Sequence, residues 1–233
     1  MRSQTLRVRS LIRASTQTRI IRLGLDSREF RFRAGQSVRW GVHGQPLRKY
    51  YSIASAPEDT KRQGYLEFLV RVDRDAAAGH LRGLKRGALV DIEGPFGRFW
   101  FPERPAERHF LFIAGGTGIA PVRAMVRQAL LTDLPGAFTI VYSARAPGEF
   151  AYAAELRALA RLGRIHLLLT ATREAHLGWR GSRGRIARST LAPLIRDPAT
   201  LCFVCGPAAF TAAVAPLLRR LGITSRRIKI GES

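Results

Sequence analysis

The chain has 233 residues, 46% of them hydrophobic and 24% charged, enough to bury about 70–75% of its unfolded surface without disulfides or a structural metal. Only two cysteines are present, which excludes a four-cysteine iron–sulfur cluster or zinc site, and no stretch approaches the ~20 apolar residues of a membrane-spanning helix. The net charge of +22 is spread evenly, with 21 Lys/Arg against 10 Asp/Glu in residues 1–105 and 18 against 7 in residues 106–233; on its own it fits an acidic protein partner, nucleic acid or a simple arginine bias.

The opening "MRSQTLRVRSLIRASTQTRIIRLGL" has no acidic residue before Asp26 and has the composition of an organelle import sequence. It also alternates like two short strands through Leu6, Val8 and Ile20, and strands are expected here. With no signal-peptide core, a soluble cytoplasmic protein is expected. "EFRFRAGQSVRWGV", "KYYSIAS", "GYLEFLVRV" and "ALVDIEGPFGRFWF" continue as strands broken by Gly35, Gly64, Gly87 and Gly94-Pro95, the rhythm of an antiparallel barrel. "GHLRGLKRG", Gly79–Gly87, is the one piece expected as a helix within it.

"PERPAERH", Pro102–His109, reads as a linker, dividing an N-terminal domain (1–104) from a C-terminal one (105–233). Beyond it strand and helix alternate: "HFLFIAGGTG", "PVRAMVRQALLT", "FTIVYSAR", "YAAELRALARL", "IHLLLTATRE", "TLAPLI", "LCFVCGP" and "FTAAVAPLLRRLG". That order predicts an α/β domain with a parallel sheet. Cys202 and Cys205 form a C-x-x-C, but their apolar run favours buried small residues over a redox pair or half a zinc site. "AGGTGIAP", Ala114–Pro121, joins a buried strand to a helix, where glycines allow close backbone approach and the helix start attracts phosphate. Alone it reads equally as a nucleotide site or a plain turn.

In order, "YSIAS", "GPFG", "GGTGIAP" and "CGP" resemble the motifs of the ferredoxin–NADP reductase superfamily, over nearly the whole chain from Phe32 onward. The resemblance implies a two-domain flavoprotein, an FAD-binding antiparallel β-barrel followed by an NAD(P)-binding α/β domain, with the active site where the two meet. It places Tyr51 on the isoalloxazine and Ser52 near its N5, with Ile53, Ala54 and Ser55 completing the segment. Relatives carry arginine two residues before this tyrosine; here the position is Lys49, a point charge without the bidentate fork, with Arg48 beside it. At "GHLR" the usual Ser or Thr is replaced by Arg82, while Gly79, His80 and Leu81 are expected to cradle the pyrophosphate. Gly115, Gly116, Thr117, Gly118 and Pro121 match the pyridine-nucleotide loop, and Cys205, Gly206 and Pro207 the segment beside the nicotinamide. Ser52, Cys205 and Glu232 are the expected catalytic residues.

"TATRE" places Thr172 and Arg173 where NADP-specific relatives hold a 2′-phosphate, and Arg183 and Arg185 could add charge; these residue types favour NADPH over NADH. The expected function is hydride transfer from NAD(P)H to bound FAD, then delivery of single electrons to a separate acceptor. An acidic carrier such as ferredoxin or flavodoxin, or an oxygenase component, fits the charge better than nucleic acid does. The alternatives are reduction of freely diffusing flavin or quinone and, more remotely, a non-catalytic redox-sensing nucleotide-binding module.

Overall fold

The structure, a computed structural model, describes residues 2–26, 28–72, 81, 84–173 and 178–232. Two compact units emerge, one from residues 1–101 with 123–132 and the other from residues 102–122 with 133–233.

The first unit contains β1 (Arg2–Arg13), β2 (Thr18–Gly24), β3 (Ser37–Val42), β4 (Lys49–Ser52), helix α1 (Pro57–Gln63), β5 (Tyr65–Arg71) and β6 (Leu89–Phe96). The strands form an antiparallel sheet in the order β4-β3-β6-β1-β2-β5. Its edge strands meet at the Ile53–Phe68 bridge, where the Ala54 N–H donates to the Glu67 carbonyl at 2.7 Å, so the sheet closes almost fully into a barrel. Alternation fills the interior. On β1, Leu6 and Val8 are buried while Arg7 and Arg9 are exposed, and on β3, Val38 and Trp40 are buried while Arg39 points out.

Two sequence expectations need correction. Only Ser37–Val42 of "EFRFRAGQSVRWGV" is strand; Phe30 and Phe32 sit before it as a ring pair 6.1 Å apart, and Phe30 packs in the core. A barrel helix falls at Pro57–Gln63, a segment with too few apolar residues to show helical periodicity. It forms through its ends: Pro57 in the first turn, Glu58 and Asp59 beside it, Lys61 and Arg62 in the last turn, and Gly64 left-handed at φ 71°. Residues 79, 80, 82 and 83 of the expected Gly79–Gly87 helix lie outside the described residues, and residues 84–87 form a turn, not a helix.

The second unit contains β7 (His109–Gly115), the start of α2 (Ile119–Leu131), β8 (Ala137–Ala144), α3 (Ala153–Arg161), β9 (His166–Ala171), β10 (Ser182–Arg183), α4 (Arg188–Leu191), β11 (Leu201–Gly206), α5 (Ala208–Arg220) and β12 (Ile228–Glu232). The strands are all parallel, in the order β10-β9-β8-β7-β11-β12. Their near-continuous apolar runs suit a fully buried parallel sheet, and neighbours in register stack their rings: Phe110 on Phe138 at 5.3 Å and Phe112 on Phe203 at 5.1 Å. From β7 the chain adds strands first on one side and then, with β11, on the other. The carboxyl ends of β7 and β11 therefore form the sheet's switch point, the usual ligand position in such sheets.

No helix among the described residues is long and apolar enough to cross a membrane.

Candidate active site

At the start of β4, two neighbouring cations, Arg48 and Lys49, take different directions. Lys49 and Tyr51 pair with Trp40 and Val38 and share their side of the sheet, whereas Tyr50 pairs with outward-facing Arg39. The Tyr51 ring lies 5.0 Å from that of Trp40 and is partly buried, which pushes its phenol well above the usual tyrosine range. Lys49 forms no ion pair and the Ser52 hydroxyl no hydrogen bond among the described residues. A cation, a partly buried ring and an unengaged hydroxyl within four residues fit an anionic aromatic ligand such as FAD.

Arg48, beside Lys49, takes another direction. Its guanidinium pairs with Glu93 and with Asp91 Oδ2 at 3.1 Å, while Arg39 pairs with Glu93 at 2.5 Å and His43 Nδ1 with Asp91 at 2.8 Å. Arg39 above all, with Arg48, holds the Glu93 carboxyl below its ordinary value. Burial pulls the Asp91 carboxyl upward, but bonds from Thr5 and His43 and the charge of Arg48 outweigh it and leave it lowered.

Three more expected flavin residues have internal roles for their side chains. Ile53 and Ala54 are fully buried, and the Ser55 hydroxyl accepts from the Glu67 N–H at 3.2 Å and from Thr60 at 2.8 Å. Gly79, His80 and Arg82 lie outside the described residues, and the Leu81 side chain is in the barrel core.

In the second unit the glycines act through close packing. A Cβ on Gly118 would lie 2.2 Å from the Cys205 carbonyl oxygen, and one on Gly206 3.2 Å from the Gly115 Cα. The ends of β7 and β11 thus touch backbone to backbone. Gly116, exposed at φ 55°, opens a 3-10 turn over Gly116–Gly118 that runs into α2, with Pro121 buried in its first turn. This glycine turn at a helix start offers backbone N–H groups to phosphate. Cys205 is 1% exposed, Pro207 is exposed at the start of α5, and Glu232 lies in register beside Gly206. The structure therefore brings Gly118, Cys205, Gly206 and the Glu232 backbone together at the switch point. Neither cysteine forms a disulfide. Burial in the core pushes the Cys202 thiol up to about 12.

The carboxyl ends of β8, β9 and β10 carry a row of arginines. The Arg173 N–H donates to the Arg145 carbonyl at 2.7 Å and the Thr172 N–H to the Ala144 carbonyl at 2.9 Å. Arg183 pairs in register with Ala171 on β9. Arg145, Arg173, Arg183 and Arg185 are exposed and form no ion pair among the described residues. Arg145 was not foreseen, although it follows "FTIVYSA" much as Arg173 follows its own strand. Also unforeseen were two buried carboxylates, Asp59 and Glu67, paired with arginines; nothing local in "PEDTK" or "YLEFL" marks them.

Residues 5–101 match the oxidoreductase FAD-binding domain family and residues 112–215 the oxidoreductase NAD-binding domain family. Ferredoxin–NADP reductase B of Sorangium cellulosum is 33% identical over 216 residues, covering 88% of this chain and 86% of that protein. The glycine betaine monooxygenase reductase subunit of Pseudomonas aeruginosa is 31% identical over 206 residues, 85% of this chain but 55% of the relative, so the chain spans about half that protein's length. Among solved structures, a ferredoxin NADP+ reductase from Neisseria gonorrhoeae with bound FAD and NADP gives a TM-score of 0.83 at 19% identity, covering 100% of this chain and 99% of that one. The cytochrome b5 reductase domain of Ulva prolifera nitrate reductase gives 0.84 at 22% identity, covering 100% and 97%. These two likenesses establish the shared fold. The chain belongs to the ferredoxin–NADP reductase superfamily. It is an FAD-dependent NAD(P)H oxidoreductase.

Proposed function

We propose that the chain prefers NADPH to NADH and serves a separate, acidic one-electron acceptor, such as ferredoxin, flavodoxin or an oxygenase component. FAD, when bound, supplies the step from a two-electron hydride to single electrons. The chain's residues bind and orient. Lys49 offers its ammonium to the flavin phosphates, Tyr51 its ring face, and Ser52 its hydroxyl. The Gly115–Gly118 turn and the start of α2 receive the nucleotide's pyrophosphate, and Cys205, with Gly206, Pro207 and Glu232, borders the nicotinamide. Hydride transfer needs no general acid or base from the protein.

The observation that carries the NADPH preference is the arginine row at the ends of β8, β9 and β10. Arg145, Arg173 and Arg183 stand on adjacent strands, with Thr172 supplying a hydroxyl, and such a set favours a phosphate dianion over a ribose diol.

An acidic acceptor is supported by the net charge of +22 and by two relatives whose names are those of a ferredoxin reductase and a monooxygenase reductase subunit. Electrostatic steering then sets the encounter rate. Electron transfer to an acidic ferredoxin or flavodoxin, followed by stopped-flow spectroscopy, is expected to slow about tenfold or more as salt rises through the ~0.1 M range. A rate indifferent to salt would rule out the acidic carrier.

One observation favours a second reading, reduction of freely diffusing flavin or quinone. Arg48 is drawn away by Glu93 and Asp91, leaving Lys49 as the cation on the Tyr51 side of β4. Gel filtration separates the readings: a bound cofactor stays with the protein, and a flavin substrate does not.

A further inference from the structure

Beyond the end of β4, the chain is fixed by a buried guanidinium. Arg123 Nη1 donates to the Ala54 carbonyl at 2.8 Å and lies 3.0 Å from Glu67 Oε1, with the two side chains 11% and 3% exposed. Glu67 holds the same segment through its backbone: its carbonyl accepts from the Ala54 N–H and its N–H donates to Ser55 Oγ. Its second carboxylate oxygen accepts from Arg22 Nε at 2.7 Å. Four residues along α2 from Arg123, Arg127 forks onto Asp59, with one bond at 2.8 Å, and Asp59 also meets Arg62 at 3.2 Å. Residues 54, 59, 67, 123 and 127 all belong to the first unit.

Charge neutralisation alone explains this arrangement poorly. Burying an ion pair is costly unless its remaining donors and acceptors are satisfied, and packed apolar residues often stabilise a fold equally well. What the charged pair adds is direction. Both backbone groups of Ala54 are engaged, the N–H by Glu67 and the carbonyl by Arg123, two residues after Ser52. The N–H of the intervening residue, Ile53, donates to the Gln36 carbonyl at 3.0 Å. The path of the chain from Ser52 to Ser55 is thereby set at each residue after the serine.

We infer that Arg123 is a positioning residue for the flavin site: its bond to the Ala54 carbonyl fixes where Ser52 and Tyr51 meet the flavin, and Glu67 holds the guanidinium in place. This rests on the assignment of Tyr51 and Ser52 to the flavin made above. The competing role is purely structural, in which Arg123 only neutralises Glu67.

The test uses the full chain and FAD, with three readouts: the dissociation constant from quenching of flavin fluorescence, the shape of the visible flavin band, and the thermal midpoint. Arg123→Met is expected to weaken FAD about tenfold, the order of one charge-assisted hydrogen bond, to alter the flavin band, and to lower the midpoint because Glu67 loses a partner. In Arg123→Met/Glu67→Gln no buried carboxylate remains at this position, so the midpoint recovers while the weak binding and altered band persist. If binding and band return to wild type in the double variant, Arg123 only neutralises Glu67 and the inference is overturned. Glu67→Gln alone tests the same point should Arg123→Met not fold. Glutamine still accepts from Arg123, so FAD binding stays within about twofold of wild type, and a loss of a full order of magnitude contradicts the proposal. A wild-type chain that neither quenches nor retains FAD instead removes the underlying flavin assignment, an outcome distinct from a wild type that binds FAD and an Arg123→Met variant that matches it.

Discussion

The Asp59 carboxylate is 2% exposed and is met by Arg127 at both oxygens and by Arg62 at one. Burial pushes its carboxyl upward, but Arg127 chiefly, then Arg123 and Arg62, outweigh that and leave it lowered. A carboxyl lowered on folding contributes stability that is fully present above its unfolded value, about 3.9, and lost as pH falls through the folded one. The wild type should therefore lose thermal stability as pH drops below about 4. Asp59→Asn should cost roughly 1.5–3 kcal/mol at neutral pH, because it removes the charge that the partly exposed Arg127 bonds, and should show a shallower acid dependence. Asp91 and Glu93, also lowered, keep part of the slope. Parallel midpoint-against-pH curves for the two proteins would contradict this account. Residue types at β4 were legible from sequence, but their directions were not. Lys49 and Arg48 are adjacent cations in the sequence; strand pairing sends Lys49 to the side of Tyr51, and ion pairing draws Arg48 to Asp91 and Glu93. Ser55, expected in the flavin segment, has its hydroxyl engaged by the Glu67 N–H, a contact that nothing in its neighbouring sequence marks.

At the scale of elements, the glycine turn between β7 and α2 depends on contact with β11. The Gly118 position has no room for a side chain, since a Cβ there would meet the Cys205 carbonyl oxygen and carbon at 2.2 and 2.5 Å. Gly118→Ala should force the turn off β11, costing about 1–3 kcal/mol as overpacking does and raising the KM for nicotinamide nucleotide more than it weakens FAD. Equal losses of both, measured by steady-state kinetics and flavin fluorescence, would mean that the turn acts only through global stability. Long apolar strands such as β7 and β11 were readable because burial on both faces leaves a continuous pattern. Three shorter elements were not. Helix α1 is specified by its caps and end charges, β10 has two residues, and β12 shows too little alternation to stand out from "RRIKIGES".

At the scale of the whole molecule, the change from antiparallel to parallel organisation was visible in the spacing of apolar runs, because strand and helix periodicities differ. The charge was equally visible, but its meaning was not, since a count of arginines does not separate the row at β8–β10 from those paired with Asp59, Glu67 and Glu93. The sorting comes from the fold, which leaves Arg145, Arg173 and Arg183 exposed without ion pairs among the described residues. The most direct measurement is an anaerobic titration of the FAD-loaded protein, freed of unbound flavin, with NADPH and separately with NADH, following the visible flavin absorbance. Stoichiometric bleaching by NADPH is expected, faster than by NADH, with Arg173→Ala narrowing the difference by about tenfold, the order of one charge-assisted phosphate contact. Bound flavin that neither nucleotide bleaches, or equal rates with both that Arg173→Ala leaves unchanged, would contradict that expectation.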